Sequence, residues 1–284
     1  MAPRLGLVSF LNARPIGWGL LHGRQRGRFE VVPGAPSALA DALARGEIDL
    51  ALLPSYEYAR GRGEGRDLAI VPGICIASNG PAESVLLFSR VPSERIRRVA
   101  VDLSSRTSAA LLRILFRRAF RGGRGVPEMV GFPPDLPAML EGADAALLIG
   151  DPALFAARRF PHLVASLEVR DLGAEWLAMT GLPFVYAFWA GPRREHAAGI
   201  SAALADSLQE GVERIPEIAR EAAEADSAAG AEAMVLQYLK ETIRFVLGPE
   251  EIRGLETFFR MLVEDGELPA PAPALSFHPM SSNH

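Results

Sequence analysis

Hydroxyl side chains that could bind a small anion are concentrated in the stretch Val99–Phe116, which reads VAVDLSSRTSAALLRILF. Val99–Leu103 is an apolar run of strand length, and from Ala109 the apolar residues recur at helical spacing. The polar run Ser104–Ser108 lies between them. A helix start leaves backbone N–H groups unpaired under a partial positive charge, so a strand that leads directly into one can form a pocket for a carboxylate. Ser and Thr are also favoured helix caps, and a purely structural capping role stays open.

Further polar residues stand where predicted strands end. They are Asn12, Ser78, Asn79, Ser84 and Asp151. Arg14 and Arg106 are candidate cations, because a guanidinium binds a carboxylate bidentately, although each could equally form an ordinary surface ion pair. Such a set suits a small polyanionic ligand that is held by hydrogen bonds.

Other kinds of site are not indicated. The histidines are scattered without ligand spacing and Cys75 is the only cysteine, so we expect no metal and no internal disulfide. No Gly-x-Ser-x-Gly elbow, dinucleotide fingerprint or phosphate-binding Gly-x-x-x-x-Gly-Lys pattern occurs. We therefore expect no cofactor.

Composition narrows the class of protein. The 284 residues are 49% hydrophobic and carry a formal net charge of −4, which argues against a nucleic-acid surface. No apolar run approaches the roughly 18 residues that span a bilayer, and no basic-then-apolar leader precedes the first predicted strand. We expect a cytoplasmic protein without nucleic-acid or membrane partners, either a monomer or a homodimer.

Short apolar runs alternate with amphipathic segments, which predicts an α/β fold with mostly parallel sheets and a ligand site at the carboxyl ends of the strands. The alternation restarts at Val99. Two extended segments, Ser84–Ser89 and Phe184–Trp189, interrupt it, and we predict that they cross between two lobes. Residues 1–86 and 190–284 would form the first lobe and residues 87–189 the second. Each lobe would be a mostly parallel sheet flanked by helices, with a cleft between the lobes.

Several motifs in unbroken order resemble one known family. They read FLNARP, IDLALLP, SNGPAESVLLFS, VDLSSRTSAALLRILF, ADAALLIGDPAL and DLGAEWLAMTGLPFVYAFW. The chain is similar over Arg4 to about Trp189 to MqnA, the chorismate dehydratase family of the futalosine route to menaquinone. The resemblance implies the two-lobed fold of type II periplasmic binding proteins. It also implies the elimination of water from chorismate to give 3-[(1-carboxyvinyl)oxy]benzoate.

The same resemblance implies site residues. Asn12 and Ser84 correspond to catalytic residues beside the substrate ring, with Ser84 polarising or protonating the leaving hydroxyl and Asn12 orienting the enolpyruvyl group. The expected substrate-binding residues are Ser78, Asn79, Gly80, Ser105, Arg106, Thr107, Ser108, Gly150 and Asp151. A helix N-terminus with Ser105, Arg106, Thr107 and Ser108 around the ring carboxylate would stabilise the charge that develops there.

The base that removes the ring proton has two candidates. Asp151 stands at a strand end, but Pro152 after it also suits a short helix that Asp151 would cap. The other candidate, which we favour, is the substrate's own enolpyruvyl carboxylate, acting intramolecularly.

Two alternative functions remain open. A sister family in the same pathway cleaves cyclic dehypoxanthine futalosine with a histidine base, and the corresponding position here is Gly150, which disfavours that activity. A cytoplasmic small-anion-binding protein without catalysis is the second alternative.

Overall fold

The computed structural model describes residues 2–120, 125–193, 197–226 and 230–279. Its strands are β1 Arg4–Val8, β2 Glu30–Gly34, β3 Leu50–Pro54, β4 Leu68–Ser78, β5 Val85–Ser89, β6 Arg98–Asp102, β7 Glu128–Phe132, β8 Ala145–Ile149, β9 Glu168–Asp171 and β10 Phe184–Pro192. Its helices are α1 Arg14–Leu21, α2 Pro36–Ala44, α3 Ser55–Gly63, α4 Arg106–Leu115, α5 Leu136–Glu141, α6 Gly150–Leu154, α7 Ala156–Arg159, α8 Pro161–Val164, α9 Leu172–Thr180, α10 Ala197–Glu213, α11 Ile215–Asp226, α12 Ala231–Gln237 and α13 Pro249–Glu264. Two π-helical turns, Phe116–Phe120 and Tyr238–Thr242, follow α4 and α12.

The strands form two five-stranded sheets. The first has the order β2-β1-β3-β10-β4, and the second has the order β7-β6-β8-β5-β9. In the first sheet β10 is antiparallel to both of its neighbours, and in the second sheet β5 is. The remaining strands of each sheet run in one direction. The central strands β3 and β8 are buried throughout, which explains why both read as continuous apolar runs.

These sheets confirm the predicted α/β class with flanking helices, and each sheet is mixed because one antiparallel strand stands among four that run in one direction. Each parallel step, such as β1 to β2 or β6 to β7, passes through an intervening helix, as parallel neighbours require. Carboxyl ends of parallel strands meet at one edge, so the residues that follow β1, β3, β6 and β8 are brought toward the space between the sheets.

The predicted crossing segments need correction. Phe184–Trp189 does not cross, because β10 pairs with β3 on one side and β4 on the other along the first sheet. Ser84–Ser89 does not cross either, since β5 is in the second sheet from Val85 onward. The chain passes between the sheets at 79–84 and again at 172–183. The lobe limits 1–86, 87–189 and 190–284 remain a prediction.

The last described segment of the chain is attached to the first sheet. Ser276 and His278 form backbone hydrogen bonds with Ile70 of β4 at 2.7 and 2.8 Å. In the described part of the chain, no helix has the length and apolar character that crossing a membrane requires.

Candidate active site

A cavity lies between the two sheets, at the carboxyl ends of their strands. Residues associated with the first sheet form one wall: Val8, Phe10, Asn12, Pro36, Pro54, Ile76, Tyr186 and Ala187. Residues associated with the second sheet form the other: Ser84, Val85, Ser104, Ser105, Arg106, Thr107, Ser108, Ile149 and Gly150. The predicted polar residues Asn12, Ser84 and Ser104–Ser108 are therefore brought together.

The start of α4 faces this cavity. Ser105 occupies the cap position, but its side chain does not cap the helix. The hydroxyl of Thr107 instead accepts a hydrogen bond from the backbone N–H of Tyr56 at 3.1 Å, across the cleft. The first N–H groups of α4 have no partner within the helix. Uncapped N–H groups beside buried Ser105 and Ser108 form the arrangement that an anion pocket requires.

Arg106 has protein partners for its charge. Its guanidinium binds both carboxylate oxygens of Asp41, at 2.8 and 2.9 Å, and lies 3.4 Å from an oxygen of Glu57. These carboxylates raise the pKa of Arg106, and the guanidinium lowers the pKa of Asp41. The residue lines the cavity, but its cation points at carboxylates of α2 and α3. Its role as a ligand of substrate stays a prediction.

Ser84 and Tyr238 form a buried pair of hydroxyl groups. The phenol of Tyr238 donates a hydrogen bond of 2.8 Å to Ser84 Oγ, which lies 3.3 Å from the carbonyl oxygen of Ala82. Burial raises the pKa of Tyr238, while its interactions with the side chains of Ser84 and Asn12 oppose that shift. The amide oxygen of Asn12 is buried without a hydrogen-bond partner among the described residues. An unsatisfied acceptor in a cavity wall is available to a ligand.

Asp171 fixes the turn that precedes Ser84. Its carboxylate accepts hydrogen bonds from the N–H groups of Ala82 and Glu83, at 2.9 and 2.7 Å, and also caps α9. Glu83 has a φ of +58°, the left-handed conformation that is unfavourable for a side chain larger than glycine. The hydrogen bonds to Asp171 hold this conformation in place, and it directs Ser84 into the cavity wall.

Ser78 ends β4, and Asn79 and Gly80 begin the connection to β5; these three residues do not form the described cavity wall. The Ser78 hydroxyl donates to the carbonyl of Gly80 at 3.0 Å and lies 3.1 Å from the phenol of Tyr186. Tyr186 does line the cavity, so Ser78 adjoins the site through it. Asn79 is exposed. The substrate-binding roles of these three residues stay predictions.

Gly150 and Asp151 connect the two walls. The predicted capping role of Asp151 is wrong, because α6 begins at Gly150 and places Ile149 at the cap position. The Asp151 carboxylate accepts a hydrogen bond of 2.8 Å from the N–H of Leu11, and burial raises its pKa. Gly150 has a φ of +60°, and a Cβ there would lie 2.7 Å from the ring of Phe10. Glycine is therefore required at this approach.

Other predicted groups lie outside the cavity. Arg14 is half-exposed and forms a long contact of 3.8 Å with Glu221. Among the described residues, no group of three His, Cys, Asp or Glu side chains could hold a metal ion. Two of the five scattered histidines, His196 and His284, lie outside the described residues.

Sequence reasoning missed Tyr186, Tyr238 and Asp41. Tyr186 lies in the strand FVYAFW, where alternation could have separated a cavity-facing residue from core neighbours. Tyr238 follows a helical segment whose apolar spacing indicates only a buried face. Its contact with Ser84 joins residues 154 positions apart, and no local pattern reports such a pairing.

Solved structures of other proteins have a similar fold. A protein from Archaeoglobus fulgidus superimposes with a TM-score of 0.73 at 16% identity, covering 93% of this chain and 98% of that one. A conserved Candida albicans protein, described as having the generic periplasmic binding protein fold, superimposes with a TM-score of 0.62 at 12% identity. That match covers 100% of this chain and 99% of the Candida chain. At these identities the likeness concerns the fold alone, and it agrees with the predicted two-lobed architecture.

Sequence comparison identifies the family. The curated chorismate dehydratase of Thermus thermophilus is 32% identical to this chain over 272 residues, which cover 91% of this chain and 94% of the relative. The sequence profile of the family described as menaquinone biosynthesis matches residues 3–264. The cavity described above lies wholly within that matched span. The chain therefore belongs to the menaquinone biosynthesis family.

Proposed function

We propose that this protein is a chorismate dehydratase that acts in the cytoplasm, removing water from chorismate to give 3-[(1-carboxyvinyl)oxy]benzoate. The observation that carries the proposal is that Asn12 on one wall, and Ser84 and the uncapped start of α4 on the other, line one cavity. It provides a hydroxyl donor, an amide and a row of N–H groups around one small volume. Family membership and the Thermus relative support the same reaction.

The reaction makes two demands on the site. The leaving hydroxyl and the departing proton stand on adjacent ring carbons, and loss of both makes the ring aromatic. Removal of the proton moves negative charge through the diene into the ring carboxylate. Groups that bind this carboxylate more tightly as charge builds up lower the barrier.

The start of α4 can bind the ring carboxylate on which this negative charge develops. Its N–H groups and the hydroxyls of Ser105 and Ser108 would receive the ring carboxylate. Among the described residues lining the cavity, only Arg106 is charged, and Asp41 and Glu57 already balance it. Stabilisation of the developing charge then comes mainly from aligned dipoles rather than from a free cation.

Ser84 can assist the departure of the hydroxyl group. Its hydroxyl would donate to the leaving oxygen, which departs with the C–O electron pair and takes the Ser84 proton to become water. Asn12, on the opposite wall, would orient the enolpyruvyl group by donating from its amide nitrogen, because that group offers only hydrogen-bond acceptors. Neither role requires a metal or an organic cofactor.

The base that removes the ring proton is the substrate's own enolpyruvyl carboxylate. Asp151 does not form the described cavity wall, and one of its oxygens is occupied by the N–H of Leu11. A tethered carboxylate can reach effective molarities of about 10⁵ M or more. The proton that it takes returns to Ser84 Oγ after water forms, so both groups regain their starting protonation states.

The test is direct. Purified protein is incubated with chorismate, and the aromatic product is followed by chromatography. We expect turnover by the wild type, a large loss in Ser84→Ala, and full activity in Ser93→Ala, which alters another buried serine outside the cavity. Binding of chorismate without any product would contradict the proposal and favour a binding protein, and cleavage of cyclic dehypoxanthine futalosine would favour the sister activity.

A further inference from the structure

Tyr238 is a buried polar residue to which the reaction described above assigns no role. Its side chain is 1% exposed, and its phenol donates to Ser84 Oγ at 2.8 Å. Tyr238 begins a π-helical turn after α12, a rare element that recurs at functional sites. Ser84 forms part of the cavity wall, so the phenol lies behind the residue that faces substrate.

A second hydrogen bond ties the same π-helical turn to the same loop. Thr242, at the other end of the turn, donates from its hydroxyl to the carboxylate of Glu83 at 3.1 Å. Glu83 and Ser84 are adjacent, and the N–H of Glu83 is held by Asp171. The position of Ser84 is thus set from two directions, by Asp171 on its backbone side and by the turn on its side-chain side.

The direction of the Tyr238 hydrogen bond decides what Ser84 can do. Burial raises the pKa of the phenol, which therefore keeps its proton, and the hydrogen bond runs from the phenol to Ser84 Oγ. Because Ser84 Oγ already accepts that proton's hydrogen bond, its own hydrogen must point to another acceptor. Within the described chain that acceptor is the carbonyl of Ala82, at a long 3.3 Å. A substrate hydroxyl in the cavity offers a stronger one.

We propose that Tyr238 is a positioning residue for the dehydration: its phenol orients the Ser84 hydroxyl toward the leaving hydroxyl of substrate and stabilises the negative charge that develops on Ser84 Oγ. This inference rests on the proposed function. It does not require Tyr238 to touch substrate or to lose its proton. Chains of hydrogen bonds strengthen one another in a site of low dielectric constant, which is the environment that burial creates here.

The product offers a way to separate this role from simple packing. The aromatic product lacks the leaving hydroxyl, so a group that acts on that hydroxyl through Ser84 should matter little for product binding. A residue that merely supports the cavity wall should affect product binding and turnover alike. Tyr238→Phe removes one oxygen and keeps the buried ring, which limits structural damage.

The experiment compares wild type, Tyr238→Phe, Ser84→Ala and the double variant. For Tyr238→Phe we expect kcat to fall between about ten- and a hundredfold, the range for a hydrogen bond to a group on which charge develops. KM for chorismate and the dissociation constant of the product should each stay within threefold. In the Ser84→Ala background, Tyr238→Phe should lower the residual kcat by a smaller factor than in the wild-type background, because the path through Ser84 is already removed and only the interaction with Asn12 remains.

Tyr58→Phe is the matched control. Tyr58 is fully buried, and its phenol oxygen accepts the N–H of Ser276 at 2.9 Å, outside the cavity wall. It should leave kcat unchanged, which shows that loss of a buried phenol does not by itself impair turnover.

The outcomes separate the two proposals. If wild type converts chorismate but Tyr238→Phe retains its kcat, weakens product binding in step with kcat, or lowers kcat equally with and without Ser84, the role of Tyr238 is overturned and the proposed function stands. If wild type fails to convert chorismate, the proposed function is overturned, and the role of Tyr238 with it.

Discussion

The carboxylate of Asp151 and the backbone N–H of Leu11 form a hydrogen bond of 2.8 Å that joins the end of β8 in the second sheet to the end of β1 in the first. The one carboxylate that sequence reasoning offered as a base is thus used to hold the cavity walls together.

Asp151→Asn should therefore keep turnover within about tenfold of wild type, because an amide oxygen still accepts from Leu11 and the base is supplied by substrate. General base catalysis is typically worth 10²- to 10⁴-fold, so loss of a true base would be conspicuous. Ser84→Ala and Asn12→Ala should lose far more activity while still binding chorismate. A thousandfold loss in Asp151→Asn, with fold and chorismate affinity intact, would make Asp151 the base.

Arg106 and Asp41 provide a second test, because the two possible roles of Arg106 predict different partners. If the guanidinium serves to join α4 to α2, Arg106→Ala and Asp41→Ala should raise the KM for chorismate by similar factors and leave kcat nearly unchanged. Both side chains are partly exposed, so we expect a modest effect, severalfold at most. A ten- to a hundredfold rise in KM for Arg106→Ala alone would show instead that the guanidinium binds a substrate carboxylate.

Gly150→Ala should impair both stability and function. The positive φ costs about 1–2 kcal/mol for any residue with a Cβ, and the added methyl group would meet the ring of Phe10 across the cleft. Gly181→Ala is the control, since Gly181 has a φ of +70° with open space around its Cβ position. We expect both variants to lower the Tm, and only Gly150→Ala to raise KM. Equal KM values in the two variants would refute a close approach of Phe10 and Gly150 in the working enzyme.

His278 should make stability dependent on pH. Its ring is buried, and neither ring nitrogen has a hydrogen-bond partner among the described residues. Burial lowers its pKa from 6.5, nearby Arg193 lowers it further, and Asp67 opposes the shift. The folded state thus favours the neutral ring. The resulting contribution to the free energy of unfolding is fully present above pH 6.5 and is lost as the pH falls through the lowered pKa of the folded state.

The measurement compares urea midpoints from pH 7.5 to 5 for wild type and His278→Leu. Wild type should lose more stability over this range than His278→Leu, which has no ring to protonate. His162→Gln, a change at an exposed histidine, should follow wild type. Parallel curves for wild type and His278→Leu would show that the ring is not buried in solution.

Much of the architecture could be read from the sequence because its signals are local. β3 and β8 are buried runs of strand length, and Ser104–Ser108 marks the passage from a strand into α4. Since strand ends meet at one edge of a sheet, Asn12, Ser84 and that run were predicted near one another, and the cavity contains all of them.

The remainder depends on pairings between distant residues. An apolar segment such as Phe184–Trp189 looks the same whether it crosses between sheets or inserts between β3 and β4, and only the register with those strands decides. The partners of Arg106, Ser84 and Asp151 are likewise far away along the chain, at Asp41, Tyr238 and Leu11. Residue types at a strand end indicate that a polar site exists, but they do not say which side chains face a ligand and which face each other.

The contacts across the cleft also bear on how affinity should be interpreted. Arg106 with Asp41, Thr107 with Tyr56 and Asp151 with Leu11 each join the two walls beside the cavity. A ligand that contacts both walls binds only to protein molecules in which the two walls are joined. Its apparent dissociation constant therefore equals the intrinsic constant divided by the fraction of protein molecules in that state. Substitutions at residues that never meet substrate can thus weaken binding by changing that fraction alone. Substitution at Asp41 can thus change the apparent affinity for substrate without altering the chemistry at Ser84.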